Sequence, residues 1–304
     1  MIKIDSTYDV ILTYSPIREI TGHIFECFDY YLFLREYCHA GILFFDGLNI
    51  EQLKTAFNSK YKVDFSEIEK DFIRIKLDDD NRKYNSIMFG KNTTVILTDG
   101  NIKSLNYHKI ILISDRLYGF LCEYDEFEKQ TFNKNIVYLA DPRIYGKLAH
   151  FRQMDYVKKI PFKFYKPINR KRGNTGMMYA TYVCRKITPD VVREYHERSG
   201  CSETMLVVPY TLPEYENIDG VKQVQAPVPD FFEKFDTYIY TPVQRRFDCS
   251  PRLLTECFFY GKRIMVDLPY VDVGLQTRYG DCVSGIERLN LKSGDEILNL
   301  INYR

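Results

Sequence analysis

Short apolar runs with no polar alternation recur along the chain: GILFFD (Gly41–Asp46), KIILISD (Lys109–Asp115) and TMLVVP (Thr204–Pro209). Such a run cannot lie on a sheet with one face in water, because every second side chain would be an exposed apolar group. It needs cover on both faces, which is the environment of a parallel strand crossed by helices. YDVILTY (Tyr8–Tyr14), the helix-period segment HIFECFDYYLFLREYC (His23–Cys38) and GILFFD together read as one β-α-β unit. TTVILTD (Thr93–Asp99), KIILISD and NIVYLAD (Asn135–Asp141) add three more strands. The stretch 49–92, which contains Asp78, Asp79 and Asp80, reads as peripheral helix and solvated loop.

The pattern breaks at FKFYKPINRKRGNTG (Phe162–Gly176), a basic stretch with Pro and Gly that suits an exposed connection between domains. It then restarts. GMMYATY (Gly176–Tyr182) reads as a strand, and TPDVVREYHERSG (Thr188–Gly200) as a helix capped by Thr and closed by Gly. TMLVVP, DTYIYTP (Asp236–Pro242) and RIMVDL (Arg263–Leu268) read as strands, and SGDEILNLI (Ser293–Ile301) as a closing helix. The expected fold class is α/β, with two Rossmann-like domains, 1–165 and 166–304, facing each other across a cleft.

Net charge is +1, so no global field draws the chain to nucleic acid, and such binding would need a local basic patch. The eight cysteines form no Cys-x-x-Cys pair and are not grouped with the five histidines, so no metal site is expected. Scattered thiols suit a reducing cytoplasm. No apolar run reaches the roughly 18–20 residues of a bilayer span, so no membrane partner is expected.

Ligands of open α/β sheets bind outside the carboxyl ends of the strands, which directs attention to the loops after Tyr14, Asp115, Tyr182 and Pro242. In FDCSPRLLTECFFYGKRIMVD (Phe247–Asp267) a helix opens at Ser250 and Pro251 and carries Glu256 in its middle. Its free N–H groups and dipole favour an anion. Arg245 and Arg246 precede it, Arg252 lies in its first turn, and Asp248 lies upstream of Glu256. An ordinary Arg252–Glu256 surface pair explains those two residues equally well.

The order of strand, Arg-bearing loop, helix with an inner Glu and then YGKRIMVD resembles the donor half of GT-B glycosyltransferases. Among these it is most similar to the hydroxymethylpyrimidine DNA glycosyltransferases of phages. KIILISDRL (Lys109–Leu117) resembles their strand and base-bearing turn, and GMMYATYVCRK (Gly176–Lys186) their strand and diphosphate-gripping loop. The resemblance implies an N-terminal acceptor domain, a C-terminal nucleotide-sugar domain, a UDP-sugar donor, and double-stranded DNA with a modified pyrimidine as partner. It further implies that Glu256 takes the ribose hydroxyls and that Arg185, Lys186, Arg245 and Arg246 meet the diphosphate, where guanidinium groups bind two oxygens at once. The family's helix spaces Arg and Glu three apart. Here Arg252 and Glu256 are four apart, which moves the phosphate role toward Arg245 or Arg246.

Asp115 is the expected base, taking a proton from the acceptor hydroxyl, with capping of its own turn or pairing with Arg116 as the alternative. His23 is a rival base, and Gly22 lets backbone approach the ligand. Direct displacement with inversion is favoured, although the spacing of Asp248 and Glu256 also resembles the acidic pair of retaining enzymes. Arg170, Lys171 and Arg172, beside Lys158, Lys159, Lys163 and Lys166, form the patch expected to contact DNA phosphates. The reading requires no cofactor, and a divalent metal would at most stimulate without a protein motif to bind it. A monomer is expected. A polysaccharide or small-molecule acceptor, or a binding module without turnover, are the competing readings.

Overall fold

The computed structural model describes residues 2–4, 7–14, 20, 22–76, 87–90, 92–97, 105–106, 109–113, 136–139, 162–169, 173–180, 187–241, 252–266, 295, 297–299 and 301. Contacts divide the chain into unit 1 (Met1–Leu53, Val63–Phe164 and Leu289–Arg304) and unit 2 (Lys54–Lys62 and Tyr165–Arg288).

In unit 1 the chain runs through β1 (Ile2–Lys3), β2 (Val10–Thr13), α1 (Gly22–Leu34), β3 (Ala40–Phe45), the start of α2 (Ile50–Lys60), α3 (Phe65–Glu69) and β4 (Phe72–Ile75). It continues through β5 (Ile87–Met88), β6 (Thr94–Leu97), β7 (Leu105–Asn106), β8 (Lys109–Ile113) and β9 (Ile136–Leu139). Six strands form a parallel sheet in the order β4-β3-β2-β6-β8-β9. Counted along the chain this is the order 3-2-1-4-5-6 of doubly wound sheets. β1, β5 and β7 pair in a separate parallel sheet. All residues of β2 and β3 are buried, the outcome expected of strands covered on both faces.

Unit 2 contains β10 (Thr175–Tyr179), α4 (Pro189–Ser199), β11 (Glu203–Val208), β12 (Val221–Gln225), β13 (Thr237–Tyr240), α5 (Arg252–Phe259) and β14 (Arg263–Val266). Its parallel sheet has the order β12-β11-β10-β13-β14, which along the chain is 3-2-1-4-5. Met178, Val192, Tyr195, Leu206 and Ile239 meet in its core. Both ends of α4 follow from the sequence. The Thr188 hydroxyl accepts from the Val191 amide, and Gly200 ends the helix at φ 64, a left-handed conformation that glycine adopts without a Cβ penalty. The carboxylate of Asp236 accepts from the amides of Gly173 (3.1 Å) and Thr175 (3.2 Å), which anchors the start of β10 beside β13.

Two strands of the six- and five-stranded sheets depart from the sequence expectation. β4 (FIRI) lies in a stretch read as helix and loop, and β12 (VKQVQ) in one where no strand is expected. Each is the outer strand next to the 3-2 side of its sheet, half covered, so neither needs a continuous apolar run. The connection from Phe162 is also less exposed than its composition implies. Phe164 and Tyr165 are buried, and Tyr165 bridges antiparallel to Tyr61. Among the described residues no helix is long and apolar enough to cross a membrane, and no group of three or more His, Cys, Asp or Glu could hold a metal ion.

Cys38, just past α1, gives a pH prediction. Burial, and then the Asp9 carboxylate, push its thiol up to about 11 from the usual 9.0. A thiol harder to ionise in the folded than in the unfolded chain contributes stability that is whole below pH 9.0 and lost as pH rises through about 11. Denaturation midpoints are therefore expected to fall across that window, and to fall less in Cys38→Ala. An identical slope in the variant would refute the assignment.

Candidate functional site

Helix α5 carries its acid on its buried side. Glu256, Cys257 and Tyr260 are buried and Leu253 is half-buried, at the i, i+3, i+4 and i+7 positions that share one helix face. Glu256 thus stands in the apolar stripe and is only 3% exposed. A carboxylate there requires a partner, because an isolated buried charge is prohibitively costly. The partner is Lys60, whose Nζ lies 2.8 Å from Glu256 Oε1. The Tyr165 hydroxyl donates to the same oxygen at 3.3 Å.

Local structure holds these two partners. Lys60 ends α2, and its carbonyl accepts from the Lys166 amide at 2.9 Å. The Tyr260 hydroxyl donates to the Lys166 carbonyl at 3.2 Å, and the Lys60 ammonium lies 5.9 Å from the centre of the Phe232 ring. The far end of α5 is closed by Gly261 at φ 60. There the Gly261 amide bonds to Phe258 O and the Lys262 amide to Cys257 O, the paired bonds of a Schellman cap. This is the structural content of YGK in YGKRIMVD. Cys257 is fully buried, and burial followed by the Glu256 carboxylate raises its thiol well above the ordinary range, so it is no nucleophile.

The remaining candidates are placed by the chain rather than by side-chain geometry. Gly22 is the exposed first residue of α1, which follows β2, and His23 is the second residue of that helix. Arg252 is the first residue of α5. Asp115, Arg170, Lys171, Arg172, Arg185, Lys186, Arg245, Arg246, Asp248 and Ser250 lie outside the described residues, as do Asp78, Asp79 and Asp80. Their order in the chain is informative all the same. Asp115 follows the carboxyl end of β8, Arg185 and Lys186 that of β10, and Arg245, Arg246, Asp248 and Ser250 that of β13.

Strand order gives these positions meaning. In unit 1 the winding reverses between β2 and β6, and in unit 2 between β10 and β13. Sheets of this kind bind ligands at the carboxyl edge beside such a reversal. The unit 2 candidates therefore follow the two strands that flank its reversal, and Gly22 follows one of the two in unit 1. Lys60 and Tyr165 escaped the sequence reading. Lys60 is 196 positions from Glu256, and no local pattern links a helix-end lysine to it.

No family model matches the chain, and no curated protein matches it. Among solved structures, the glycosyltransferase SnogD from Streptomyces nogalater is similar over 96% of this chain and 98% of its own, with 9% identity and a TM-score of 0.39. Likeness at that level assigns neither a family nor an activity.

Proposed function

We propose that this protein is a glycosyltransferase of GT-B type that moves a sugar from a nucleotide diphosphate, with UDP the expected nucleotide, to a hydroxyl acceptor. The observation that supports the reading best is the coincidence of candidate loops with the carboxyl ends of β8, β10 and β13, in sheets whose winding reverses beside β2 and β10. Unit 2 is read as the donor unit. Glu256 takes the ribose hydroxyls, and Arg185, Lys186, Arg245 and Arg246 neutralise the diphosphate as it departs. Fixed cations perform that electrostatic task without reorganising during the reaction. Unit 1 is read as the acceptor unit. Asp115 accepts the proton of the attacking hydroxyl, the new glycosidic bond forms at the anomeric carbon as the bond to the diphosphate breaks, and the configuration inverts. The preferred acceptor is a 5-hydroxymethylated pyrimidine in DNA, turned out of the duplex, with Arg170, Lys171 and Arg172 on the phosphate backbone.

Hydroxymethylated duplex DNA incubated with a panel of nucleotide sugars is expected to gain the mass of one sugar residue per modified base. Asp115→Asn is expected to lower that turnover about a hundredfold while leaving UDP binding unchanged. Transfer to a glycan or small molecule but not to DNA would replace the acceptor. No transfer or donor hydrolysis under any condition would end the enzyme reading.

One observation favours a second reading, a nucleotide-binding module without turnover. Glu256 is 3% exposed and its Oε1 already serves an internal ion pair, as a purely structural acid would. UDP binding with no turnover on any acceptor is the result that would establish it.

A further inference from the structure

Thr241 stands immediately past β13, the strand beside β10 at the winding reversal of the unit 2 sheet. It is 1% exposed, and its Oγ1 has no hydrogen-bond partner among the described residues. Other threonines of that sheet are satisfied within the fold. Thr237 Oγ1 accepts from Arg263 Nε at 2.9 Å, and Thr204 Oγ1 lies 2.8 Å from His196 Nδ1. A buried hydroxyl left unpaired works against the folded state, and a valine would fill the same space without that penalty. Packing therefore does not explain a threonine at 241, whereas its place in the topology does. It puts one unused hydroxyl, able to donate, at the edge where doubly wound sheets receive the phosphates of their ligands.

We infer that Thr241 donates its hydroxyl hydrogen to a diphosphate oxygen of the nucleotide donor. The inference rests on the reading of unit 2 as the nucleotide-sugar unit and adds a binding residue to it. An ionised phosphate oxygen is the acceptor that gains most from such a donor, since bonds to charged oxygen are the stronger class. An apolar group at that spot would leave the hydroxyl unsatisfied, whereas a phosphate oxygen accepts from it.

Calorimetric titration with UDP and with uridine, on wild type, Thr241→Val and Thr241→Ser, tests this. UDP affinity is expected to fall about tenfold in the valine variant and to be kept by serine, with uridine binding unchanged. Ligand-free Thr241→Val is expected to melt at or above the wild-type temperature, because the unpaired hydroxyl is gone. Equal UDP affinity in the valine variant overturns the inference alone, and an equal loss for uridine overturns the diphosphate assignment. A melting temperature several degrees lower shows that the hydroxyl is bonded inside the fold, which also overturns it. If wild type binds none of UDP, GDP and ADP, the nucleotide-sugar reading itself fails.

Discussion

Replacing Lys60 by Met is expected to destabilise the protein by about 3–5 kcal/mol, the usual consequence of removing one member of a buried ion pair. The size of the effect comes from what remains. Glu256, 3% exposed, loses the ammonium that its Oε1 held at 2.8 Å, while the Tyr165 hydroxyl still donates to that oxygen at 3.3 Å. The loss therefore measures an uncompensated carboxylate more than the attraction between the two charges. A second substitution exposes the difference. Lys60→Met with Glu256→Leu is expected to recover most of the lost stability, because apolar replacement of a whole buried pair is often neutral or favourable. Urea denaturation of the four proteins closes the cycle. A Lys60→Met loss within about 0.5 kcal/mol of zero, the range of ordinary surface changes, would show that the pair does not hold the site. The double variant also isolates function. With the fold restored, it is expected to bind UDP more weakly if Glu256 holds the ribose, and unaltered UDP binding would remove that role.

Phe28→Ala is expected to cost about 3–5 kcal/mol, the range for deleting a fully buried aromatic ring. Phe28 is 0% exposed and sits at the centre of an aromatic group in unit 1. It stacks on Phe72 at 6.2 Å and meets Phe65 edge-on at 6.3 Å, while Phe72 in turn stacks on Phe44 at 4.8 Å. The group joins α1, α3, β3 and β4. The edge strand β4 has a half-exposed backbone neighbourhood, so its attachment depends on these ring contacts as well as on its ladder with β3. Phe28→Leu keeps most of the volume and is expected to cost less than about 1.5 kcal/mol. Midpoints and slopes of denaturant unfolding distinguish the cases. A lower midpoint at unchanged slope is a loss of stability, whereas a changed slope would signal detachment of β4. An alanine variant as stable as wild type would mean that the cavity collapses without penalty.

Most of the strands that could be read from the chain and whose burial is described are covered on both faces. β2, β3, β10, β11 and β13 appear as largely apolar runs because their burial leaves few positions for a polar residue. The caps of α4 were equally legible, since Thr188 and Gly200 act on backbone groups a few residues away. The Glu of α5 was legible as a candidate but not as a buried one. Its place in the stripe with Cys257 and Tyr260 follows from helical spacing, yet a glutamate in an apolar stripe is ambiguous until its partner is known. The polar strand β12 was hidden because an edge strand half in water shows no pattern that separates it from a loop.

By itself the sequence determined that this is a parallel α/β chain with helix ends at Thr188 and Gly200, because apolar periodicity and capping act within a window of a few residues. Only the tertiary structure decided the strand orders, the reversals beside β2 and β10, the Lys60–Glu256 pair and the Thr241 hydroxyl that has no hydrogen-bond partner among the described residues. Each of these depends on which distant segments meet. Closure between distant segments is settled by the packing of the whole unit, not by the residues adjacent in the chain.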